Sequence, residues 1–419
     1  MQTKHRWSGV LAGIAAAGAL ALTSLTTAQA NDPIRIGFID PLSGPFANVG
    51  DAGLKHFRFA ADRINDEGGI GGRMVEIVPM DNSQSASESA QLVQRSADRG
   101  IDYVVQGNGS DVAGAIIETV NRNNRRNPDS KLLFLNYAAV DPSLTNERCS
   151  FWHFRFDADT TIKLEALTNY MMERDDVEKV YLINQDYSHG HVIEEMFQEL
   201  AAEKMPNVEI VGTQLHPIGQ VRDFSPYVSR IQRSGADSVV TGNWGNDLAL
   251  LVREAASAGL DANFYTYYGG GLGVPSGVGR DGVDRVAQVT EWHANVNVDE
   301  GLDEYREWVD AFKERYPDID WYFHRVYNLM YMLKAAIEEA GTTDAEPVAR
   351  VLEGMEFESP TGTVVMRADD HQLLQPMYIS IMDDDVEYDV ENSGIGFRTL
   401  ERVSREDATS PTSCEMSRP

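Results

Sequence analysis

The fold is set near the start of the chain by the run Ile34-Arg35-Ile36-Gly37-Phe38-Ile39, which is followed directly by Asp40-Pro41. The run is rich in β-branched and apolar residues and stops at a proline, which predicts a buried β-strand. Apolar side chains then recur every three or four residues up to Gly68-Gly69, which predicts an amphipathic helix. The residues that carry this spacing are Leu54, Phe57, Ala61 and Ile64. A strand followed by a helix is the first half of a βαβ unit.

The same alternation of strand and helix runs through the chain as two series. Strands are predicted at 74–80, 103–105 and 132–135 in the first series, and at 180–184, 208–214, 238–241 and 264–267 in the second. Helices of ten to fifteen residues between strands indicate parallel sheets. We therefore expect an α/β fold with two doubly wound parallel-sheet lobes, joined by a hinge of crossover strands.

The last third of the sequence is more helical and is expected to return and complete both lobes. Helices are predicted at 302–315, 323–340 and 347–352, and strands at 363–366 and 378–382. The expected division is a signal peptide at 1–30, an N-terminal lobe from 31–155 plus 292–372, a C-terminal lobe from 156–291 plus 373–395, and a tail at 396–419.

The first thirty residues have the pattern of a secretory signal. A basic stretch at Lys4 to Arg6 precedes an apolar run at 10–25 and the small-x-small site Ala28-Gln29-Ala30. The apolar run is short for a membrane anchor. Cleavage after Ala30 and export to the periplasm are therefore predicted.

Composition excludes several classes of function. The 419 residues include 65 Asp and Glu against 36 Lys and Arg, for a formal charge of −29. This balance argues against nucleic acid and against an anionic membrane surface as partners. The sequence has no nucleophile elbow, P-loop or zinc-protease motif, so neither an enzyme nor a cofactor is predicted. No metal site is predicted either, because His189, His191, Glu194 and Glu195 are typical of an exposed helix start.

Two cysteines, Cys149 and Cys414, are predicted to form a disulfide. The signal directs the chain to an oxidising compartment, where two free thiols would be prone to oxidation. Cys414 lies in a polar tail that has no apolar face to pack against the rest of the protein. A disulfide is therefore the expected role of this cysteine.

Several residues at the ends of predicted strands are candidates for binding a small ligand. Ser110 precedes a helix N-terminus, where free N–H groups and the helix dipole favour a carboxylate. Tyr187, Trp244 and Tyr268 each follow a strand of the second series. Polar groups from one lobe and aromatic faces from the other suit a small amphiphilic anion.

The motif that spans residues 36–47, together with Gly50, resembles the opening of type I periplasmic binding proteins, specifically the leucine/isoleucine/valine-binding family that feeds ABC importers. Further motifs fit in order: residues 65–72, Asp81, residues 141–145, and Asp186-Tyr187 with Gly190. The resemblance covers about residues 33–382. It implies a two-lobed binding protein without catalysis, a monomer that delivers a ligand to a membrane permease.

The resemblance also implies roles for particular residues. Ser110 or Asp111 lies in the hydroxyl-bearing loop that binds the ligand carboxylate, and Ala138 and Ala139 belong to a loop whose N–H groups share that task. Tyr187 and Trp244 match aromatics that cover the ligand. The rest of the expected ligand-binding set is Phe46, Tyr137 and Tyr268.

Two positions depart from the pattern of amino-acid binders. Val140 stands where these usually have Thr to hold the ammonium, and Tyr268 stands near the position of the acid that neutralises it. The expected ligand is therefore either an aromatic or aliphatic carboxylate or a branched-chain-type amino acid. A periplasmic ligand sensor of the same fold is the alternative function.

Overall fold

The computed structural model describes residues 32–419, so the predicted signal peptide lies outside the described residues. The first sheet has five parallel strands in the order β2-β1-β3-β4-β5. Its elements are β1 (Ile34–Asp40), α1 (Ala47–Asp66), β2 (Val75–Asp81), α2 (Ala86–Asp98), β3 (Tyr103–Gln106), α3 (Ser110–Arg126), β4 (Leu133–Asn136) and β5 (His153–Arg155). The strand and helix predicted from the opening run are confirmed.

The second sheet has seven strands in the order β15-β14-β10-β9-β8-β6-β7. Its parallel part is built from α4 (Thr160–Met172), β6 (Lys179–Gln185), α5 (Ser188–Lys204), β7 (Glu209–His216), α6 (Ser225–Ser234), β8 (Ser238–Thr241), α7 (Asn246–Ser257), β9 (Asn263–Thr266), α8 (Val274–Val278) and β10 (Val286–Thr290). Two antiparallel strands, β14 and β15, extend it at one edge.

The remaining chain returns to the first lobe before it supplies those two strands. Its elements are α9 (Val296–Asp299), α10 (Asp303–Arg315), α11 (His324–Ala340), α12 (Ala345–Leu352), β11 (Glu356–Ser359), β12 (Gly362–Met366), β13 (Leu373–Leu374), β14 (Met377–Asp383) and β15 (Gly396–Val403). Helices α10 to α12 share one core with the five-stranded sheet, whereas the seven-stranded sheet has a separate core on each face. The predicted two-lobed α/β architecture is confirmed.

Both sheets repeat one topology, and this places the cleft. Strand order 2-1-3-4-5 in the first sheet matches β7-β6-β8-β9-β10 in the second. In such a sheet the chain connections that follow the neighbouring strands β1 and β3 run in opposite directions. A crevice therefore opens between them at the carboxyl ends of these two strands. Loops after β1 and β3 in one lobe, and after β6 and β8 in the other, therefore form the ligand-facing edges. In the described residues no helix is both long and apolar enough to cross a membrane.

The expected start of the tail at residue 396 is wrong. Residues 396–403 form β15, which pairs antiparallel with β14 at the edge of the larger sheet. The run is hard to recognise because Arg398, Glu401 and Arg402 are charged and exposed, which is common on edge strands. Strand β10 was also not predicted.

The predicted disulfide is confirmed: Cys149 and Cys414 are bonded, with their Cα atoms 5.8 Å apart. After β15 the tail leaves the C-terminal lobe, where Ala408 is in the core, and reaches the N-terminal lobe, where Met416 packs. The tail therefore spans both lobes and is tied covalently to the first.

Candidate functional site

A small chamber lies between the lobes at the two crevices. Its volume is about 70 Å³, and its walls come from the loops after β3 and β4 on one side and after β6, β8 and β9 on the other. Seven of the predicted ligand-binding residues line it: Ser110, Tyr137, Ala138, Ala139, Tyr187, Trp244 and Tyr268. We call this space the inner chamber.

The N-terminal lobe presents polar groups to the inner chamber. Helix α3 begins at Ser110 after Gly109, whose φ of +99° is a conformation that favours glycine. The first N–H groups of any helix have no partner within it, so this end attracts anions. The Ser110 hydroxyl accepts a hydrogen bond from the Asp141 N–H at 3.3 Å. Asp111 is exposed and does not line the chamber.

In the loop after β4, the backbone N–H groups that were expected to bind a carboxylate are already hydrogen-bonded within the protein. The N–H groups of Ala138 and Ala139 donate to the side-chain oxygen of Asn136, at 3.2 and 2.8 Å. The N–H of Val140 has no acceptor among residues 32–419. In this loop the free donor is therefore that of Val140, one residue beyond the predicted pair.

The C-terminal lobe presents an aromatic wall. Trp244 Nε1 donates to the Tyr187 hydroxyl at 2.9 Å, which joins the loops that follow β8 and β6. Phe46, from the N-terminal lobe, does not line the chamber but packs against Trp244 with ring centroids 4.2 Å apart. The two lobes therefore meet directly over the chamber.

Arg325, in the first turn of α11, is a site residue that the sequence did not reveal. It is 4% exposed and is the only charged side chain among the residues that line the inner chamber in the described structure. Its Nη1 donates to Glu291, and its Nε lies 3.7 Å from Asp157. Burial opposes its charge, but Asp157 and Glu291 outweigh burial and raise the pKa of Arg325.

Lys163 completes this network, with its Nζ 2.8 Å from Asp157 and 5.2 Å from the ring centre of Tyr268. The charges of the two cations and the two carboxylates cancel, and their attraction offsets the desolvation cost of burying all four groups. Both carboxylates are thus already paired, and neither Glu291 nor Asp157 lines the inner chamber.

The sequence matches the family model described as "Periplasmic binding protein" over residues 33–386. The chain belongs to the leucine/isoleucine/valine-binding family of periplasmic binding proteins. It is similar to Leu/Ile/Val-binding protein homolog 4 of Brucella abortus, with 32% identity over 97% of this chain and 98% of that protein. Proteins of this family bind substrates for ABC transporters and are not enzymes, as predicted.

Solved structures show the same fold with different ligand classes. The structure of a leucine-, isoleucine-, valine-, threonine- and alanine-binding protein from Brucella ovis, in a closed conformation, has a TM-score of 0.82 and 29% identity, covering 93% of this chain and 100% of that one. A solute-binding protein from R. palustris in complex with 4-hydroxybenzoate has a TM-score of 0.75 and 19% identity, covering 90% and 98%. The family fold alone therefore leaves the ligand of this chain open.

Beneath the inner chamber, Asp40 supports the loop that carries Ser110. This buried carboxylate accepts hydrogen bonds from the N–H of Asn108 at 3.0 Å, the N–H of Gly107 at 3.3 Å and the hydroxyl of Tyr137 at 2.6 Å. Burial raises the pKa of Asp40 to about 7, although these donors oppose the shift.

Asp40 is expected to make stability depend on pH. Its pKa is higher in the folded than in the unfolded chain, so its stabilising contribution is complete at low pH and is lost as pH rises through about 7. The free energy of unfolding of the wild type, minus that of Asp40→Asn, should fall by about 1.4 kcal/mol between pH 6 and pH 8. Urea unfolding of both proteins at both pH values measures this difference. A difference that stays constant or rises between pH 6 and pH 8 would contradict the raised pKa of Asp40.

Proposed function

We propose that the protein is the periplasmic solute-binding component of an ABC importer, and that its ligand is a small organic carboxylate without an α-ammonium group. The ligand enters between the open lobes, the hinge closes, and the closed form is presented to the membrane permease. Binding free energy drives closure because the ligand contacts both lobes only in the closed state.

The charge of the inner chamber supports this ligand class. An anion meets the start of α3, the Val140 N–H and the guanidinium of Arg325. No carboxylate is found among the described residues that line the inner chamber, and of the nearby ones Glu291 is bonded to Arg325 and Asp157 to Lys163, so an ammonium there would lack a counter-charge. By analogy with broken buried ion pairs, closing the cleft on an uncompensated ammonium would cost on the order of 3–5 kcal/mol.

The walls of the chamber suit an apolar body on this carboxylate. Tyr187, Trp244 and Tyr268 offer ring faces, and Phe46 closes over Trp244 from the other lobe. Either a branched aliphatic chain or an aromatic ring fits such walls, because burying apolar area is not directional.

A thermal-shift screen with matched pairs tests the proposal. Each amino acid, such as leucine or phenylalanine, is compared with its deaminated acid, 4-methylpentanoate or 3-phenylpropanoate. A compound at one hundred times its dissociation constant adds about 2.7 kcal/mol of stability. We expect at least one deaminated acid to raise the midpoint more than its amino acid does. Larger shifts from the amino acid in every pair would overturn the ligand class.

Trp244 is expected to contribute more to binding than to folding. Trp244→Ala should weaken binding of the best acid from the screen by about 2 kcal/mol, as buried aromatic anchors do. Trp152, 9% exposed and in the core of the N-terminal lobe, provides a matched control. Trp152→Ala should lower the unfolding midpoint of the free protein and leave affinity unchanged. The reverse pattern would place Trp244 in the structural core.

A further inference from the structure

A second and larger space adjoins the inner chamber. Its volume is about 280 Å³, and it shares Tyr268, Gly271, Phe323 and Arg325 with the inner chamber. The N-terminal lobe contributes α10 and residues 320–323, and the C-terminal lobe contributes the end of β10 and the loop between β14 and β15. We call this space the outer chamber. Arg325 and Tyr268 thus border both chambers.

His293, which lines the outer chamber, carries a buried acceptor. This residue lines the chamber and is 7% exposed, and its Nε2 lies 3.0 Å from the hydroxyl oxygen of Thr399. The Thr399 hydroxyl donates its single proton to Asp299 at 2.7 Å. Thr399 can therefore only accept from His293, which places the imidazole proton on Nε2. The other ring nitrogen, Nδ1, is left as an acceptor.

Nothing in residues 32–419 uses that acceptor. His293 Nδ1 is buried and has no hydrogen-bond partner there. Burial lowers the pKa of His293 to about 3, so the ring is neutral at physiological pH and Nδ1 stays unprotonated. Buried polar atoms in native proteins are nearly always paired, so this atom calls for a donor.

The lining of the outer chamber combines aromatic rings with charged side chains, among them Asp310, Lys313 and Asp389. Trp292, Tyr322 and Phe323 line the same chamber. The side-chain oxygen of Gln288, which also lines the chamber, already accepts a hydrogen bond from the N–H of Gly270 at 2.7 Å. His293 Nδ1 is therefore an unsatisfied acceptor on a residue that lines the outer chamber, as is the hydroxyl oxygen of Tyr267.

We propose that the outer chamber is a subsite for the far end of the ligand, and that this end carries a hydroxyl or amide N–H group that donates to His293 Nδ1. The inference rests on the proposed function, because it takes the carboxylate end to lie in the inner chamber. The ligand class becomes an extended carboxylate with a neutral hydrogen-bond donor at the opposite end.

Calorimetry with matched probes tests the subsite. Three series of phenylalkanoic acids, with one to three methylene groups, carry a 4-hydroxyl, a 4-methoxy group or no substituent. A parallel aliphatic series ends in a primary amide or its methyl ester. At one length we expect the hydroxyl or the amide to bind at least tenfold more tightly than its partner without a donor.

Variants then assign the preference to His293. His293→Phe keeps a ring but removes the acceptor, so the tenfold preference between matched probes should vanish. His191→Phe, at an exposed position on α5, is the matched control and should keep the preference. Thr399→Val removes the acceptor for Nε2–H and allows the proton to move to Nδ1. In that variant the methoxy and ester probes should gain affinity relative to the donors.

The outcomes separate this inference from the proposed function. If plain acids bind but donors give no advantage at any length, or if the advantage survives in His293→Phe, the subsite is wrong and the proposed function stands. If no acid binds, the proposed function fails and the subsite fails with it.

Discussion

Removal of the Cys149–Cys414 disulfide is expected to lower the free energy of unfolding by about 2–5 kcal/mol. The bond closes a loop between residues 265 positions apart, so the reduced unfolded chain gains much conformational freedom. Without the bond the tail is held to the N-terminal lobe by noncovalent contacts alone, among them the Ser413 N–H on Asn146 at 2.8 Å and Arg418 on Glu353 at 2.6 Å.

Chemical denaturation of the wild type and of Cys149→Ala/Cys414→Ala, each with and without reductant, measures this effect. Reductant should destabilise the wild type and leave the double variant unchanged. Equal stability of the wild type and the double variant without reductant would contradict the prediction. The tail beyond Ala408 should also become more sensitive to proteases in the variant, because it loses its tie to the N-terminal lobe.

Arg325→Met is expected to lower the free energy of unfolding by about 3–5 kcal/mol, because it leaves Glu291 buried without a counter-charge. It should also weaken binding of the best acid from the matched screen, because it removes the charge that faces the ligand. Loss of binding in this single variant could result from misfolding alone, so the pair Arg325→Met/Glu291→Gln is required.

The double variant separates stability from recognition. With both charges removed, most of the lost stability should return, since no uncompensated carboxylate remains. Affinity for the acid should stay low. Calorimetry that finds wild-type affinity in the double variant would show that Arg325 does not bind the ligand.

Much of the architecture could be predicted because the parallel strands are buried on both faces. Runs such as Val239 and Val240 in β8 are apolar without interruption, and this makes them visible in the sequence. Strand β15 was missed because several of its residues are charged and exposed. Strand β10 was missed because Val286–Thr290 is short and carries a polar Gln288.

The candidate site was predictable where a residue's role follows from its place at a strand end. Ser110, Tyr187 and Trp244 all follow strands, and the structure brings them to one chamber. Arg325 follows no strand, and its partners Asp157 and Glu291 are distant in sequence. Its burial depends on tertiary pairing, for which the local sequence has no signal. His293 was not predicted as a site residue for the same reason, since its hydrogen-bond partner Thr399 lies 106 positions away in the sequence.

Calorimetric titration of leucine and of 4-methylpentanoate, which differ only by the α-ammonium group, tests whether the cleft selects a carboxylate without a cation. The comparison is made in the wild type and in Tyr268→Glu, which places an acid near the position where amino-acid binders have one. We expect the wild type to bind 4-methylpentanoate more tightly, and Tyr268→Glu to reduce or reverse that preference. Tighter binding of leucine by the wild type would contradict the account.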